Sequence, residues 1–347
     1  MRRKNDGRAE LAKGFTAVLI SAAAVFGIIV LGVAAGSVFV PLDQVVRIFG
    51  NMLFGTSLDG VESKFVSIIR DIRFPRVMLS FITGASLSVC GVTVQSVLRN
   101  PLASPFTLGV SSGASLGAGL VIAFEITALG SFTLPAAGLV FGIISMFLMI
   151  AFASKIDRTL QGGTIVLTGM VLSLFISSIV SLIANTKGEK YQQIMKWQTG
   201  SFSGKKGEYS AILAAIFAVC FLFMLFKSRE LDMLTFGDEQ ASSAGLNTRA
   251  SKVLLLIAAS VLSGTAVAFA GVIGFIDLIS PHIARRIFGA KHRILLPMSA
   301  VAGGIFTVLC DIAARTVIPP NELPVGVVTS LIGAPFFAFV FFKKRRR

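Results

Sequence analysis

The sequence predicts an all-α, polytopic membrane protein of about ten transmembrane helices. Three observations carry that expectation. The chain of 347 residues is 54% apolar and only 14% charged, whereas a soluble domain carries about 25% charge. Its apolar residues gather into ten runs, most of them near the roughly 20 residues that a helix needs to cross the hydrocarbon core while satisfying its own backbone hydrogen bonds. Its 32 Lys and Arg lie between those runs and at the two ends.

Taken in order, the first run, 14–36, follows Arg2, Arg3 and Lys4 and could be mistaken for a signal peptide. It is longer than the apolar region of such a peptide, so it is expected to stay as a span. The connection 37–75 contains a mixed stretch from Pro41 to Gly55 that predicts a short interfacial helix, and then a polar turn around Asp59 to Lys64. Spans are expected at 76–98, 106–127, 133–154, 164–185, 208–226, 252–270, 294–314 and 323–342, with a short one at 272–287. No segment has the length or composition of a soluble domain, so residues 1–347 form a single membrane domain.

Sidedness follows from the basic residues, which favour the cytoplasmic side. A cytoplasmic N-terminus places 21 of them inside and 11 outside. The tail from Lys343 to Arg347 then also lies in the cytoplasm, which requires an even number of crossings. Such runs beside span ends anchor topology, so the net charge of +15 does not make the chain a nucleic-acid binder. The chain is expected to meet membrane lipid and no nucleic acid.

Catalytic equipment is missing. Gly200-Ser201-Phe202-Ser203-Gly204-Lys205-Lys206 is the nearest approach to a phosphate loop. It has one residue too few between its glycines and no Ser or Thr after the lysine, so it cannot cradle a nucleotide. Cys90, Cys220 and Cys310 sit singly in apolar runs and only two His occur, so neither a disulfide framework nor a metal centre is expected, and no cofactor. The chain is not expected to be an enzyme.

Ionisable residues at membrane depth are functional suspects. Asp311 and Arg315 are four apart and share a helix face, which suits either a structural ion pair or a docking role. Asp277 has no partner nearby in sequence. Gly109, Gly113 and Gly117 recur every four residues, leaving a nearly bare helix face for close packing or for lining the path of a bulky solute. A weak echo at an offset of 180 residues (Gly84, Gly91, Pro101 against Gly264, Gly271, Pro281) raises internal duplication.

Two long motifs narrow the field. One runs Arg73-Phe74-Pro75-Arg76, Gly84-Ala85-Ser86-Leu87, Gly91, Gln95, Arg99-Asn100-Pro101-Leu102-Ala103-Ser104-Pro105 and Leu108 to Ala114. The other runs Gly274-Phe275, Ser280-Pro281-His282-Ile283-Ala284-Arg285, His292-Arg293, Leu296-Pro297, Asp311, Ala314-Arg315, Glu322-Leu323-Pro324-Val325-Gly326 and Gly333-Ala334-Pro335-Phe336-Phe337. With these the chain resembles, over nearly its whole length, the FecCD-type permeases, membrane subunits of ABC importers for iron-siderophores, haem and cobalamin.

The resemblance implies a cobalamin-permease-like fold and a second permease subunit, either another copy or a close paralogue. It also implies two cytoplasmic ATP-binding subunits, an extracytoplasmic solute-binding protein and a place in the cell membrane. Arg73, Arg76 and Arg315 match family arginines that face outward and receive acidic side chains of the binding protein; they also sit at outer span ends, against the positive-inside trend. The segment 227–251 matches the part that docks on the ATPases, with Leu234, Phe236, Gly237, Ala241, Gly245 and Leu246 as its candidate contacts. Gly162, Gly163 and Thr164 fall in the region of the cytoplasmic gate, and Gly113 on a candidate path. Asp277 replaces a glycine usual in the family, which leaves its role in packing or in the path open. The rival expectation is an ion-coupled secondary transporter using Asp277 and Asp311.

Overall fold

In the computed structural model the described residues are 19–36 and 40–345. Arg2, Arg3, Lys4, Arg8, Lys13, Arg346 and Arg347, which carry part of the topology argument, lie outside them. All regular structure among the described residues is helical. Helix α1 (Leu19–Ala34) leads to α2 (Leu42–Phe54) and α3 (Ser63–Ser67). A π-helical segment, Ile68–Arg73, then runs directly into α4 (Phe74–Leu98). There follow α5 (Val110–Ala123), α6 (Thr133–Ile156), α7 (Gly162–Thr186), α8 (Gly188–Gln198) and α9 (Gly207–Phe226). Helices α10 (Ser228–Phe236), α11 (Asp238–Ser243), α12 (Thr248–Ala270), α13 (Ile276–Phe288), α14 (His292–Thr316) and α15 (Val325–Arg345) complete the chain.

Six segments among the described residues are long and apolar enough to cross a membrane: Ser63–Leu98, which ends in α4, and α6, α7, α9, α12 and α14. The described part of α1, α5 and the stretch Val325–Phe339 of α15 are shorter apolar helices. The expected span at 272–287 becomes α13, whose 13 residues reach about 20 Å at 1.5 Å per residue, short of the roughly 30 Å core. The interfacial helix expected between Pro41 and Gly55 is α2. Helix α8 was not anticipated: its sequence is too polar to register as a span.

Small residues set the arrangement. Helix α4 is the central post, 89% of its most apolar window being buried, against 72% for α12, 61% for α14 and 22% for α7 and α9. It can be surrounded because its neighbours approach its backbone. A Cβ on Gly84 would stand 2.2 Å from the Gly303 carbonyl oxygen of α14, and one on Gly91 would stand 2.0 Å from the Asp277 carbonyl oxygen of α13. Two hydroxyls inside α4 fold back on its own backbone, Ser86 onto Ile82 at 2.7 Å and Thr93 onto Val89 at 3.0 Å, and so are satisfied without water. The outer helices α7 and α9 present Leu167, Leu174, Phe175, Leu182, Val219 and Leu222 outward, as helices facing lipid do. The sequence echo does not reflect a structural repeat: Gly91 lies mid-helix while Gly271 ends α12, and Pro101 is in a loop while Pro281 is inside α13.

Candidate functional site

At one end of the bundle Arg76, on the first turn of α4, is clamped by two carboxylates. Its Nη2 and Nε donate to Asp311 Oδ1 at 2.8 and 3.0 Å, and its Nη1 donates to Glu322 Oε1 at 2.9 Å. Asp311 is fully buried on α14; Glu322 lies in the 317–324 connection, 36% exposed. Burial alone would push the Glu322 carboxyl up, but its bonds to Arg76 outweigh that and hold it below the usual range.

The other two arginines close off α1. Its last turn leaves carbonyls without intrahelical partners and a partial negative charge. Arg73 Nη1 donates to Val33 and Ala34 oxygens at 3.0 and 2.9 Å, and Arg315 Nη2 to the Gly32 oxygen at 2.6 Å. Arg315 also lies 3.4 Å from Asp311 Oδ2, so the pair expected along α14 exists but is the weaker partner of Asp311. Arg73, Arg76 and Arg315 are 5%, 8% and 5% exposed and tie α1, α4, α14 and the 317–324 connection together.

At the opposite end α10 and α11 form a hinged pair. Gly237 joins them at φ 118°, a conformation that a side chain would strain. Leu231 and Leu234 of α10 and Ala241 of α11 are buried, and Leu246 packs partly against the same core. Polar contacts tie both helices: Asp232 Oδ1 to His292 Nδ1 at 2.6 Å, and the ion pair of Asp238 with Lys252 at 2.6 Å. His292 Nε2 in turn meets Ser96 Oγ of α4 at 2.6 Å, so α10 is linked through α14 to the central post. Of the six candidate contacts in this segment, Phe236 alone combines bulk with exposure, at 72%. Leu234 and Ala241 are packed inside the chain. Gly245, at φ 88°, turns the chain toward α12.

The candidate path residues are redistributed. A Cβ on Gly113 would stand 2.5 Å from the Phe141 carbonyl oxygen, so Gly113 seats α5 on α6. Gly162 likewise approaches the Leu98 carbonyl oxygen, 2.3 Å from where its Cβ would be, whereas Gly163 has open space around it and Thr164 is half-buried. Asp277 is fully buried in the first turn of α13; Ser104 donates to its carboxylate, and Gln95 donates to its backbone oxygen at 3.1 Å. It is a junction residue between α4, α13 and the 99–105 loop.

Missing from the sequence reading is a recess of about 270 Å³. Ser111, Ser112 and Ser115 of α5 face Ser173 and Ser177 of α7 across it, with Gln198 of α8, Phe106 and Val272 closing its sides. Its polar lining is uncharged: hydroxyls and one amide. The i, i+4 pairs Ser111/Ser115 and Ser173/Ser177 were the available signal.

A matched family model decides the relationship: that of the FecCD transport family aligns with residues 23–343. The chain belongs to the FecCD transport family. This permease is 37% identical to an uncharacterized ABC transporter permease protein of Bacillus subtilis, over 100% of this chain and 97% of that one. It is 32% identical to the Fe(3+)-citrate import system permease protein of the same organism, covering 93% and 94%. Cobalamin and hemin permeases are also among its relatives. A metal-chelate type ABC transporter solved in an inward-facing conformation superposes with a TM-score of 0.82 at 27% identity, over 94% of this chain and 99% of that one. The permease is thus an integral membrane subunit of an ABC importer and not an enzyme, ATP hydrolysis belonging to separate subunits.

Proposed function

We propose that the permease carries a bulky iron chelate, a ferric siderophore first of all, into the cytoplasm. In this reading it pairs with a second copy or a close paralogue and is driven by two ATP-binding subunits on the α10–α11 side. An extracytoplasmic solute-binding protein delivers the solute at the arginine end, and both termini lie in the cytoplasm. The carrying observation is the α10–Gly237–α11 unit. It is anchored through Asp232–His292–Ser96 and Asp238–Lys252 and leaves Phe236 bare at its hinge. Such a unit can pass a partner's movement to α4, α12 and α14, with Phe236 as the apolar knob in the partner's groove.

The solute class is supported by the iron-citrate and metal-chelate relatives and by the hydroxyl-lined recess. An oxygen-rich chelate slides past Ser and Gln side chains with exchangeable hydrogen bonds; a flat porphyrin calls for apolar and aromatic walls. The inner gate is assigned to Gly162, Gly163 and Thr164, where α7 begins beside the end of α4.

At the outer end the arginines set the field rather than reach out. Three guanidiniums face two carboxylates, leaving one positive charge beneath the surface. A carboxylate of the binding protein would compete with half-exposed Glu322 for Arg76 Nη1.

Uptake of radiolabelled ferric siderophore into vesicles holding the permease, its ATPases and the binding protein tests the reading. Uptake should need ATP and all partners, and Phe236→Asp should abolish it. Accumulation by the permease alone, driven by an ion gradient, would overturn it. Against the ion-coupled alternative stand the clamp of Arg76 on Asp311 and the hydrogen bond from Ser104 to one oxygen of Asp277.

A further inference from the structure

A second recess, of about 270 Å³, opens at the α10 end of the bundle, where α4 ends and α14 begins. Arg99, Arg285, Gln95, Asn100 and His292 line it, and so does Thr235, the neighbour of Phe236 on α10. The Arg99 side chain also reaches the hinge, its Nη1 lying 3.1 Å from where a Cβ on Gly237 would stand. The recess is therefore continuous with the α10–Gly237–α11 unit, although its arginines come from the end of α4 and from α13.

Its charge is unanswered. Arg285, half-buried in the last turn of α13, donates from Nη2 to Gln95 Oε1 at 3.4 Å. Gln95 is fixed in turn, because its amide nitrogen donates to the Asp277 backbone oxygen at 3.1 Å. A guanidinium carries five N–H donors, so Arg285 is aimed but mostly unspent. Among the described residues neither arginine is paired with a carboxylate. The nearby acids are already engaged, Asp232 with His292 and Asp277 with Ser104. No acid lines the recess, and Arg286, Lys291 and Arg293 stand exposed in the residues flanking it.

A partly buried cation without a counter-charge is costly to keep, and a fork of N–H donors fits the two oxygens of a carboxylate. We propose that Arg99 and Arg285 form a socket for an aspartate or glutamate side chain of the ATP-binding subunit that meets Phe236. The inference rests on the docking side given above and adds to it an ionic contact outside α10 and α11. Two observations choose this occupant. The surplus of positive charge calls for an acidic group, and Thr235 with the Gly237 hinge makes the recess part of the face that the subunit covers. A carboxylate seated there touches the ends of α4 and α13 directly, so the subunit holds the bundle at two points, the apolar knob on α10 and the charged socket beside it.

Permease purified with its ATP-binding subunits in detergent supplies the test. Arg285→Lys keeps the charge and offers an amine that a carbodiimide can join to a carboxylate in contact with it; peptide mass spectrometry then identifies the acid. A cross-link from position 285 to an Asp or Glu of the ATP-binding subunit is expected. Arg285→Gln should weaken binding of that subunit about tenfold at low salt and less at high salt, whereas Arg286→Gln, exposed next to it, should change binding by about twofold at most. A benzophenone attached at Phe236→Cys reports the docking side independently. Capture of the subunit there with no cross-link from position 285, or with undiminished binding by Arg285→Gln, would overturn the socket and leave the docking side standing. Failure of capture at both positions would overturn both. Equal losses in Arg285→Gln and Arg286→Gln would also overturn the socket, since a general positive field would then suffice.

Discussion

Arg76→Met isolates the outer clamp. The substitution keeps a long apolar stem but deletes three hydrogen bonds to Asp311, at 2.8, 3.0 and 3.2 Å, and two to Glu322, at 2.9 and 3.0 Å. Asp311 has no access to solvent, and after the change its nearest cation is Arg315 at 3.4 Å, which also serves the end of α1. Removing one partner of a buried pair costs about 3–5 kcal/mol because the other charge stays behind. Partial relief from Arg315 points to the lower half of that range. The double variant Arg76→Met with Asp311→Leu removes the stranded charge and should recover most of the loss, since a buried ion pair replaced by apolar groups is often neutral. Glu322→Gln should cost about 1 kcal/mol or less, because Glu322 is 36% exposed and solvent screens it. Unfolding temperature in detergent, followed by size-exclusion chromatography of heated samples, reads all three. The order expected is Arg76→Met lowest, the double variant above it, and Glu322→Gln nearest to unaltered protein. If Arg76→Met matched the unaltered protein in stability and failed only in capture of the binding protein, the arginine would be a docking group that turns outward, and the clamp reasoning would be refuted.

Glu322 also gives a pH dependence. Its carboxyl is held below the ordinary Glu value, so folding gains from its charge at all pH above about 4.3 and loses that gain as pH falls through the lower folded value. The stability gap between unaltered protein and Glu322→Gln should therefore be flat near neutrality and close in acid; a gap that widens in acid contradicts the assignment. Leu234→Ala should destabilise by about 2–5 kcal/mol as a fully buried leucine, while Phe236→Ser should leave the unfolding temperature nearly unchanged and uncouple ATP hydrolysis from uptake. The two together separate the side of α10 that packs from the side that is offered to a partner. Gly91→Val should prevent α4 from seating on α13, since even a Cβ would fall 2.0 Å from the Asp277 oxygen; loss of folded material on size-exclusion checks it, and well-folded Gly91→Val would place the two helices wrongly.

Membrane solvation explains which features were readable in the sequence. Backbone polar groups must be satisfied within the hydrocarbon, so each span is written as one unbroken apolar run, and α6, α7, α9, α12 and α14 can be read one at a time. Helix α2 was legible for a related reason: proline and glycine bracket its mixed stretch. The sites obey no such local rule. Arg76 and Asp311 are 235 positions apart, and nothing near Arg76 distinguishes a guanidinium turned to a partner from one turned inward. Within the chain, what the sequence does not show is where α1 ends: its open carbonyls take Arg73 and Arg315, and Asp311 takes Arg76.

The same geometry explains the fate of the small and polar residues. Gly109, Gly113 and Gly117 were legible as a bare helix face, but a bare face invites another helix before it invites a solute, and α6 fills it. The serines two and three positions from those glycines point elsewhere and are left facing α7. The hydroxyl-lined recess is what remains after the glycines have been used for packing, and sequence spacing could show it only when α5 and α7 were compared with each other. Asp277 follows the same logic: it looked unpartnered because Ser104 lies 173 positions away, on the loop that α13 presses against α4.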